Sequence, residues 1–412
     1  MSVSLQRYET IVGRPVIQQL RRLAEKMAGI RILNVNSTKE GGGVAEILEW
    51  MVPLMNDMGV NASWEAIRGT PDFFNITKAI HNGLQGFPAH ISEKQWDIYQ
   101  EVNKRNFENL QEALENSDIV VIHDPQPAAL LNMCTNRQGK WIWRAHIDIS
   151  HPSQPIWRKL KTFVKNFDAS IFSMAQFAQL LPHPQYIIAP SIDPLSEKNI
   201  DLDKNYLDSI RSQYSLDPDR PLLVQVSRFD RFKDPLGVIQ AYRYIRKAIP
   251  VQLVLAGGGA TDDPEGKEVL EEVMLQADND PDIHVLLLPS DSHRIINALQ
   301  QLADIIIQKS TKEGFGLTVT EGLWKGKPVI GGDVGGIRIQ VINHHTGYLV
   351  NTPEGAAHRI RFLLHRRQKM QEMGKTGREF VRENFLLTRH LRDYLTLFYT
   401  LINGNGEKKI QI

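Results

Sequence analysis

Two glutamates eight residues apart, Glu313 and Glu321, bracket the glycine-rich turn Gly314-Phe315-Gly316 and the stretch Leu317-Thr-Val-Thr that follows it. The turn comes after an apolar run at 304–308 that reads as a strand, and a helical pattern begins near Leu317. Glycine lets a loop backbone come close to a ligand, and the first turn of a helix offers unpaired N–H groups suited to a diphosphate. Leu317 and Glu321 are four apart and share a helix face, which sets a carboxylate one turn beyond those amides, where it can accept hydrogen bonds from ribose hydroxyls. Glu313 sits on the loop itself, within reach of a sugar. Two arbitrary glutamates at this spacing would be ordinary surface acids; their position astride a strand-to-helix junction favours a functional role.

A second polar segment, Ser227-Arg-Phe-Asp-Arg-Phe-Lys-Asp-Pro235, follows the apolar run 222–227. Arg228 offers a planar fork and Lys233 a point charge, and together they could neutralise a leaving diphosphate. Glycine runs occur twice more. Gly41-Gly42-Gly43 precedes a helical pattern over 44–55, so it reads either as a phosphate-approaching loop or as a plain strand-to-helix turn. It departs from a dinucleotide fingerprint because Glu46 stands where a third small residue belongs, although Glu65 lies where a ribose-binding acid would. Gly257-Gly258-Gly259 leads into Thr261-Asp-Asp-Pro264 instead of a helix and reads as a tight connection. No cysteine, histidine or carboxylate grouping has metal-ligand spacing.

The elements that must hold these residues are short apolar runs alternating with helical patterns. One series lies at 30–36, 118–124, 141–147, 169–174 and 186–189, and a second at 222–227, 251–257, 283–288, 304–308 and 328–331. Such alternation is the mark of parallel sheets with crossover helices, and two doubly wound domains facing across a cleft are expected. The expected divisions are 1–195, a linker at 196–220, 221–385, and a tail at 386–412 free to return to the first domain. The tail reads as one helix over 378–402, stopped by Asn403-Gly-Asn-Gly406, with a frayed end at 407–412. At 412 residues, 42% hydrophobic and 23% charged, the chain has enough apolar material for two cores. Its 48 Lys+Arg balance 47 Asp+Glu, which argues against nucleic acid or an anionic membrane as partner. Cys134 is the one cysteine, no apolar run approaches the ~20 residues of a membrane span, and the first ten residues lack an export pattern. A cytoplasmic protein is expected, with a homodimer left open.

The order Arg228, Lys233, then Glu313-x7-Glu321, then Pro328-Val-Ile-Gly-Gly-Asp-Val-Gly-Gly336, then Thr346-Gly-Tyr-Leu-Val350 resembles the retaining GT-B glycosyltransferases of family 4. In the first half, Asn34-Val-Asn-Ser-Thr38, Gly41-Gly-Gly-Val-Ala-Glu-Ile47, Phe73-Phe-Asn-Ile-Thr77, His123-Asp-Pro-Gln-Pro127 and Trp143-Arg-Ala-His-Ile-Asp148 resemble the glycosyltransferring trehalose synthases. That branch joins glucose from a nucleoside-diphosphate glucose to free glucose.

The resemblance implies that Arg228 and Lys233 hold the donor's phosphates, Glu321 the ribose, and Glu313 the hydroxyls of the transferred glucose. Gly314, Phe315, Gly316 and Leu317 then line the donor, Gly42 and Gly43 close over it, and Asp124 and His146 line the acceptor side. A histidine at a strand end is also often a hydrogen-bonded structural group, and both readings of His146 stay open here. Arg338-Ile339 departs from the Pro-Glu frequent in the family. No pair of carboxyls suits a glycosidase-type double displacement, so front-face substitution is expected. No resident cofactor is required, and Mg2+ on the nucleotide is compatible. The rivals are a phosphosugar or glycan acceptor, a nicotinamide-dependent oxidoreductase and a sugar-binding module without turnover.

Overall fold

The protein is described by a computed structural model over residues 4–40, 42–258, 264–289 and 291–404. Gly41, Gly259, Thr261 to Asp263 and the expected frayed end beyond Gly404 lie outside the described residues.

Two compact units form. One comprises Met1–Ser191 with Leu387–Ile412, the other Ile192–Leu386. Each is built on a six-stranded sheet whose pairs are all parallel. The first sheet contains β1 (Arg31–Asn36), β2 (Asn61–Ala66), β3 (Ile119–His123), β4 (Lys140–Arg144), β5 (Ala169–Phe172) and β6 (Gln185–Ile187), in the order β2-β1-β3-β4-β5-β6. The second contains β7 (Leu222–Val226), β8 (Gln252–Gly257), β9 (Ile283–Leu287), β10 (Ile305–Gln308), β11 (Val329–Gly332) and β12 (Gly347–Val350), in the order β12-β11-β10-β7-β8-β9.

Crossover helices cover both faces, so central strands such as Ile119-Val-Val-Ile-His123 and Leu222-Leu-Val-Gln-Val226 are buried along their whole length. This is the Rossmann-like α/β fold that the alternating pattern leads one to expect. In each sheet the chain reverses its direction of growth once, between β1 and β3 in the first and between β7 and β10 in the second. At such a point two loops leave the carboxyl ends of adjacent strands on opposite sides, opening a crevice between them.

Two segments differ from the sequence expectation. The stretch 196–220 is part of the second unit and not a linker. It carries the helix Lys204–Gln213, capped by Asp203, and is pinned by Asn297 Nδ2 donating to the carbonyls of Glu197 and Ile200, both at 2.8 Å. The single tail helix is instead two, Arg367–Asn384 and Leu387–Asn403. The break falls where Ile192 N donates to Phe385 O at 2.9 Å, and the second helix then packs on Arg14–Glu25 and Gly43–Asp57 of the first unit.

Candidate active site

In the second unit β10 lies beside β7, pairing Ile305 with Leu223 and Ile306 with Val224. The loops after these two strands therefore emerge as neighbours, and they carry the expected donor residues. Thr311 N donates to Phe232 O at 2.8 Å, tying one loop to the other. Asp230 accepts from Phe232 N at 2.7 Å and shapes the 3-10 turn Arg231–Lys233, while buried Gln225 donates to Lys233 O at 2.7 Å.

With its backbone held, Lys233 donates through Nζ to Glu313 Oε2 at 2.5 Å, and Ser310 Oγ approaches the same oxygen at 3.4 Å. The next residue, Asp234, is left-handed (φ 50°), caps the helix Pro235–Arg246 and takes a hydrogen bond from the buried Lys309 ammonium. Arg228 is different. Its side chain is 66% exposed, with Nη2 at 3.4 Å from Asp230 Oδ2, so it is an exposed cation beside a largely buried one.

Gly314 and Phe315 lie between Glu313 and the helix Leu317–Trp324, which starts at left-handed Gly316 (φ 86°) without a side-chain cap. Its first amides therefore begin directly after that loop with no side chain capping them. The loop is clamped from behind: Gly336 N donates to Glu313 O at 3.2 Å, Gln340 Nε2 donates to Phe315 O at 2.6 Å, and the Phe315 ring meets Phe385 edge-on at 5.6 Å. The glycines after β11 are needed for that contact, since a Cβ on Gly335 would fall 1.7 Å from Glu313 O and one on Gly336 2.5 Å from Phe315 Cα.

Glu321 is only 2% exposed. Spacing suggested a carboxylate on an open helix face, but the helix is buried from Val319 onward, and Glu321 Oε2 accepts instead from buried Gln300 Nε2 at 3.2 Å. Arg338, at the departure from the family pattern, is held by Asp333 at 2.7 Å.

In the first unit the corresponding crevice lies between β1 and β3. Gly42 (φ 81°) starts the helix Gly43–Asp57; among the described residues nothing lies within 4 Å of where its Cβ would be, so glycine serves the backbone angle there and not space. Just past β3, Asp124 is left-handed (φ 63°). Its amide donates to Arg144 O at 2.8 Å, its carbonyl accepts from Trp143 Nε1 at 3.1 Å, and its Oδ1 accepts from His146 N at 2.7 Å. Asp124 and His146, two residues beyond β4, are thus brought together.

Several residues given no role from the sequence surround this pair. His123 Nδ1 lies 2.9 Å from His146 Nε2, and its Nε2 lies 3.1 Å from Asn34 Oδ1. Arg144 is fully buried, with Ser173 Oγ at 3.4 Å and with Nε and Nη1 lacking a hydrogen-bond partner among the described residues. His390, on the returning helix, is held by Ser191 Oγ at 2.8 Å. The signal for Asn34, His123 and Arg144 was in the sequence: Asn34 lies between Leu33 and Val35, and His123 and Arg144 end largely apolar strands, positions where burial demands a partner.

Burial pushes the Asp124 carboxyl up to about 6, against the opposing pulls of the His146 amide and the Arg144 charge. An unfolded aspartate releases its proton near 3.8, so between about pH 4 and 6 the folded state holds a proton that the unfolded state has lost. Asp124 therefore makes stability fall as pH rises through this window. Urea unfolding of Asp124→Asn alongside the parent at pH 4 and pH 7 is expected to show a smaller decline in the variant; equal declines would contradict the raised carboxyl.

Residues 34–179 match the family model described as "Trehalose synthase, N-terminal domain", and residues 208–380 match "Glycosyl transferases group 1". A trehalose synthase of Thermococcus litoralis is 44% identical over 398 residues, covering 95% of this chain and 96% of that one. The chain belongs to the trehalose synthase family. Another trehalose synthase, from Rubrobacter xylanophilus, is 42% identical over 96% of each chain.

As a member of the trehalose synthase family the protein is an enzyme, a trehalose-related glycosyltransferase, and the oxidoreductase and non-catalytic readings fall away. Its fold is shared with the α,α-trehalose-phosphate synthase (UDP-forming) from Burkholderia xenovorans, solved in complex with glucose-6-phosphate. That structure aligns with a TM-score of 0.74 at 12% identity, covering 89% of this family member and 99% of the solved chain. The two family models between them span every expected site residue. Among the described residues no helix is long and apolar enough to cross a membrane, and no three His, Cys, Asp or Glu side chains gather to hold a metal ion.

Proposed function

We propose that this enzyme transfers glucose from a nucleoside-diphosphate glucose to free glucose, with retention of configuration, forming trehalose. The observation that carries the reading is the Lys233–Glu313 pair, held at the switch point of the second sheet beside the uncapped start of Leu317–Trp324. A cation, a carboxylate and open helix amides on one pair of loops suit a sugar diphosphate: phosphate on the amides and ammonium, sugar hydroxyls on the carboxylate.

In this reading Lys233 and Arg228 stabilise the charge that develops on the departing diphosphate. Gly314, Phe315, Gly316 and Leu317 line the donor, Gly42 and Gly43 close over it, and Glu321, whose Oε2 is held by Gln300, meets the ribose with its other carboxylate oxygen. Glu313 orients the hydroxyls of the transferred glucose. Paired with the Lys233 ammonium, it is poorly suited to attack an anomeric carbon, which favours front-face substitution over a glycosyl-enzyme. The acceptor hydroxyl then attacks on the side from which the diphosphate leaves. The new C–O bond forms as the sugar–phosphate bond breaks, and the hydroxyl proton passes to the departing phosphate oxygen. Asp124 and His146 serve the acceptor. No resident cofactor is part of the proposal, because the cations come from the chain and the leaving group is the nucleotide itself.

The test is to incubate the purified protein with UDP-, ADP- or GDP-glucose and labelled glucose and to identify the product by NMR. α,α-Linked trehalose from at least one donor is the expected result. Transfer only to glucose-6-phosphate, or a β-linked product, would overturn the acceptor or the stereochemistry respectively.

A further inference from the structure

We infer that Asn34 and His123 are positioning residues that lock His146 in a single tautomer, with Nε2–H turned towards His123 and the Nδ1 lone pair left for a substrate hydroxyl. The inference rests on the reading of His146 as a sugar-side residue and goes beyond it by fixing which hydrogen-bond role His146 can play.

The chain of hydrogen bonds has only one consistent direction. Asn34 lies on β1 with Ser63 across from Leu33 on β2, and its Nδ2 donates to Ser63 O at 3.4 Å. The amide is therefore oriented with its oxygen towards His123, whose Nε2 lies 3.1 Å from Oδ1. A carbonyl oxygen only accepts, so His123 Nε2 carries the hydrogen. A neutral imidazole has one N–H, so His123 Nδ1 holds a lone pair and accepts from His146 Nε2 at 2.9 Å. His146 then has its hydrogen on Nε2 and a lone pair on Nδ1. The two ring planes lie within 18° of each other with centroids 5.2 Å apart, as an in-plane N–H···N contact requires, and the His146 backbone is fixed by Asp124 at 2.7 Å, which leaves little freedom to invert the arrangement.

The surroundings keep both rings neutral. Asn34 is fully buried and His123 nearly so, and Arg144, paired with His123 across β3 and β4, sets a buried cation beside them. Burial and that cation press His123 down to about 3 and hold His146 well below the usual histidine range. A neutral Nδ1 can only accept. A substrate hydroxyl meeting it must donate, which fixes the rotation of that hydroxyl and discriminates against a sugar lacking it.

The experiment is 15N NMR of the full-length enzyme labelled at histidine, with His123→Gln and His146→Gln used for assignment, together with acceptor kinetics of Asn34→Leu and Asn34→Asp. Both rings are expected to read as protonated at Nε2 and bare at Nδ1 from pH 6 to 8. Asn34→Leu, which removes the accepting oxygen, is expected to admit the other tautomer at His146 and to lower kcat/KM for the acceptor roughly 10- to 100-fold, the usual scale for losing an orienting partner. Asn34→Asp, which keeps an acceptor, should hold the tautomer and lose less. Finding His146 protonated at Nδ1 in the parent enzyme, which needs no variant to fold, would overturn the inference. A shifted tautomer with unchanged acceptor kinetics would overturn the role of His146 at the sugar. Trehalose formation by the parent, measured separately, bears on the proposed reaction alone.

Discussion

Lys233→Ala is expected to lower kcat roughly 100- to 1,000-fold, the scale for removing one preorganised charge contact from a transition state that develops negative charge. Lys233 is suited to such an effect because nothing about it must be organised during the reaction. Its backbone is gripped by Gln225 and by the turn that Asp230 caps, and its ammonium already rests on Glu313 with both side chains largely buried. The variant loses the cation and also frees Glu313, so the orientation of the sugar hydroxyls suffers with the leaving group. Lys233→Arg is expected to restore little, since a planar fork cannot occupy the place of a point charge in the same pocket. Arg228→Ala tests the exposed partner and should fall in or below the same range. Single-turnover rates with saturating donor, alongside thermal unfolding to confirm folding, check the set. Near-parental turnover in both Lys233→Ala and Arg228→Ala would remove the proposed diphosphate clamp.

Gly335→Ala, at a residue given no part in binding, should abolish most activity. Its backbone is left-handed (φ 41°), and a Cβ there would stand 1.7 Å from the Glu313 carbonyl oxygen. The obstacle is backbone, so no side-chain rotation relieves it. Either the glycine segment after β11 or the loop carrying Glu313 must move. Overpacking of this kind costs about 1–3 kcal/mol, and a displacement of ~1 Å in positioning groups costs about 100-fold in rate. Gly258→Ala is the control: its Cβ would meet Leu288 O at 3.6 Å, ordinary contact, and both stability and rate should stay close to parental. Urea unfolding and kcat measured on the two variants decide it. Parental behaviour of Gly335→Ala would mean that the loop is not held against the glycines.

Glu313 and Lys233 show how far residue spacing reaches. Each could be singled out because it lies on a polar loop after an apolar run, yet 80 residues separate them and no local pattern says that they touch. They meet because β10 inserts beside β7, a decision taken by the sheet. Glu321 shows the converse: the four-residue spacing from Leu317 placed it on a helix face, but whether that face is open depends on what lies over it, and Gln300 does. The expected linker at 196–220 failed for a related reason. Its polar composition matched a surface connection, while the part-buried hydrogen bonds that dock it on the helix His293–Leu302 run to residues about 100 positions away.

What the amino-acid order determined by itself is what depends on near neighbours. Continuous Val/Ile/Leu runs dictate strands covered on both faces, glycines with positive φ dictate where loops turn into helices, and alternation with helical patterns dictates parallel sheets. Tertiary structure alone decided which loops became partners, which carboxylates were shut away, and that Asn34, His123 and His146 form one directed chain. These outcomes depend on strand order and on burial, and both arise from contacts between residues far apart in the chain.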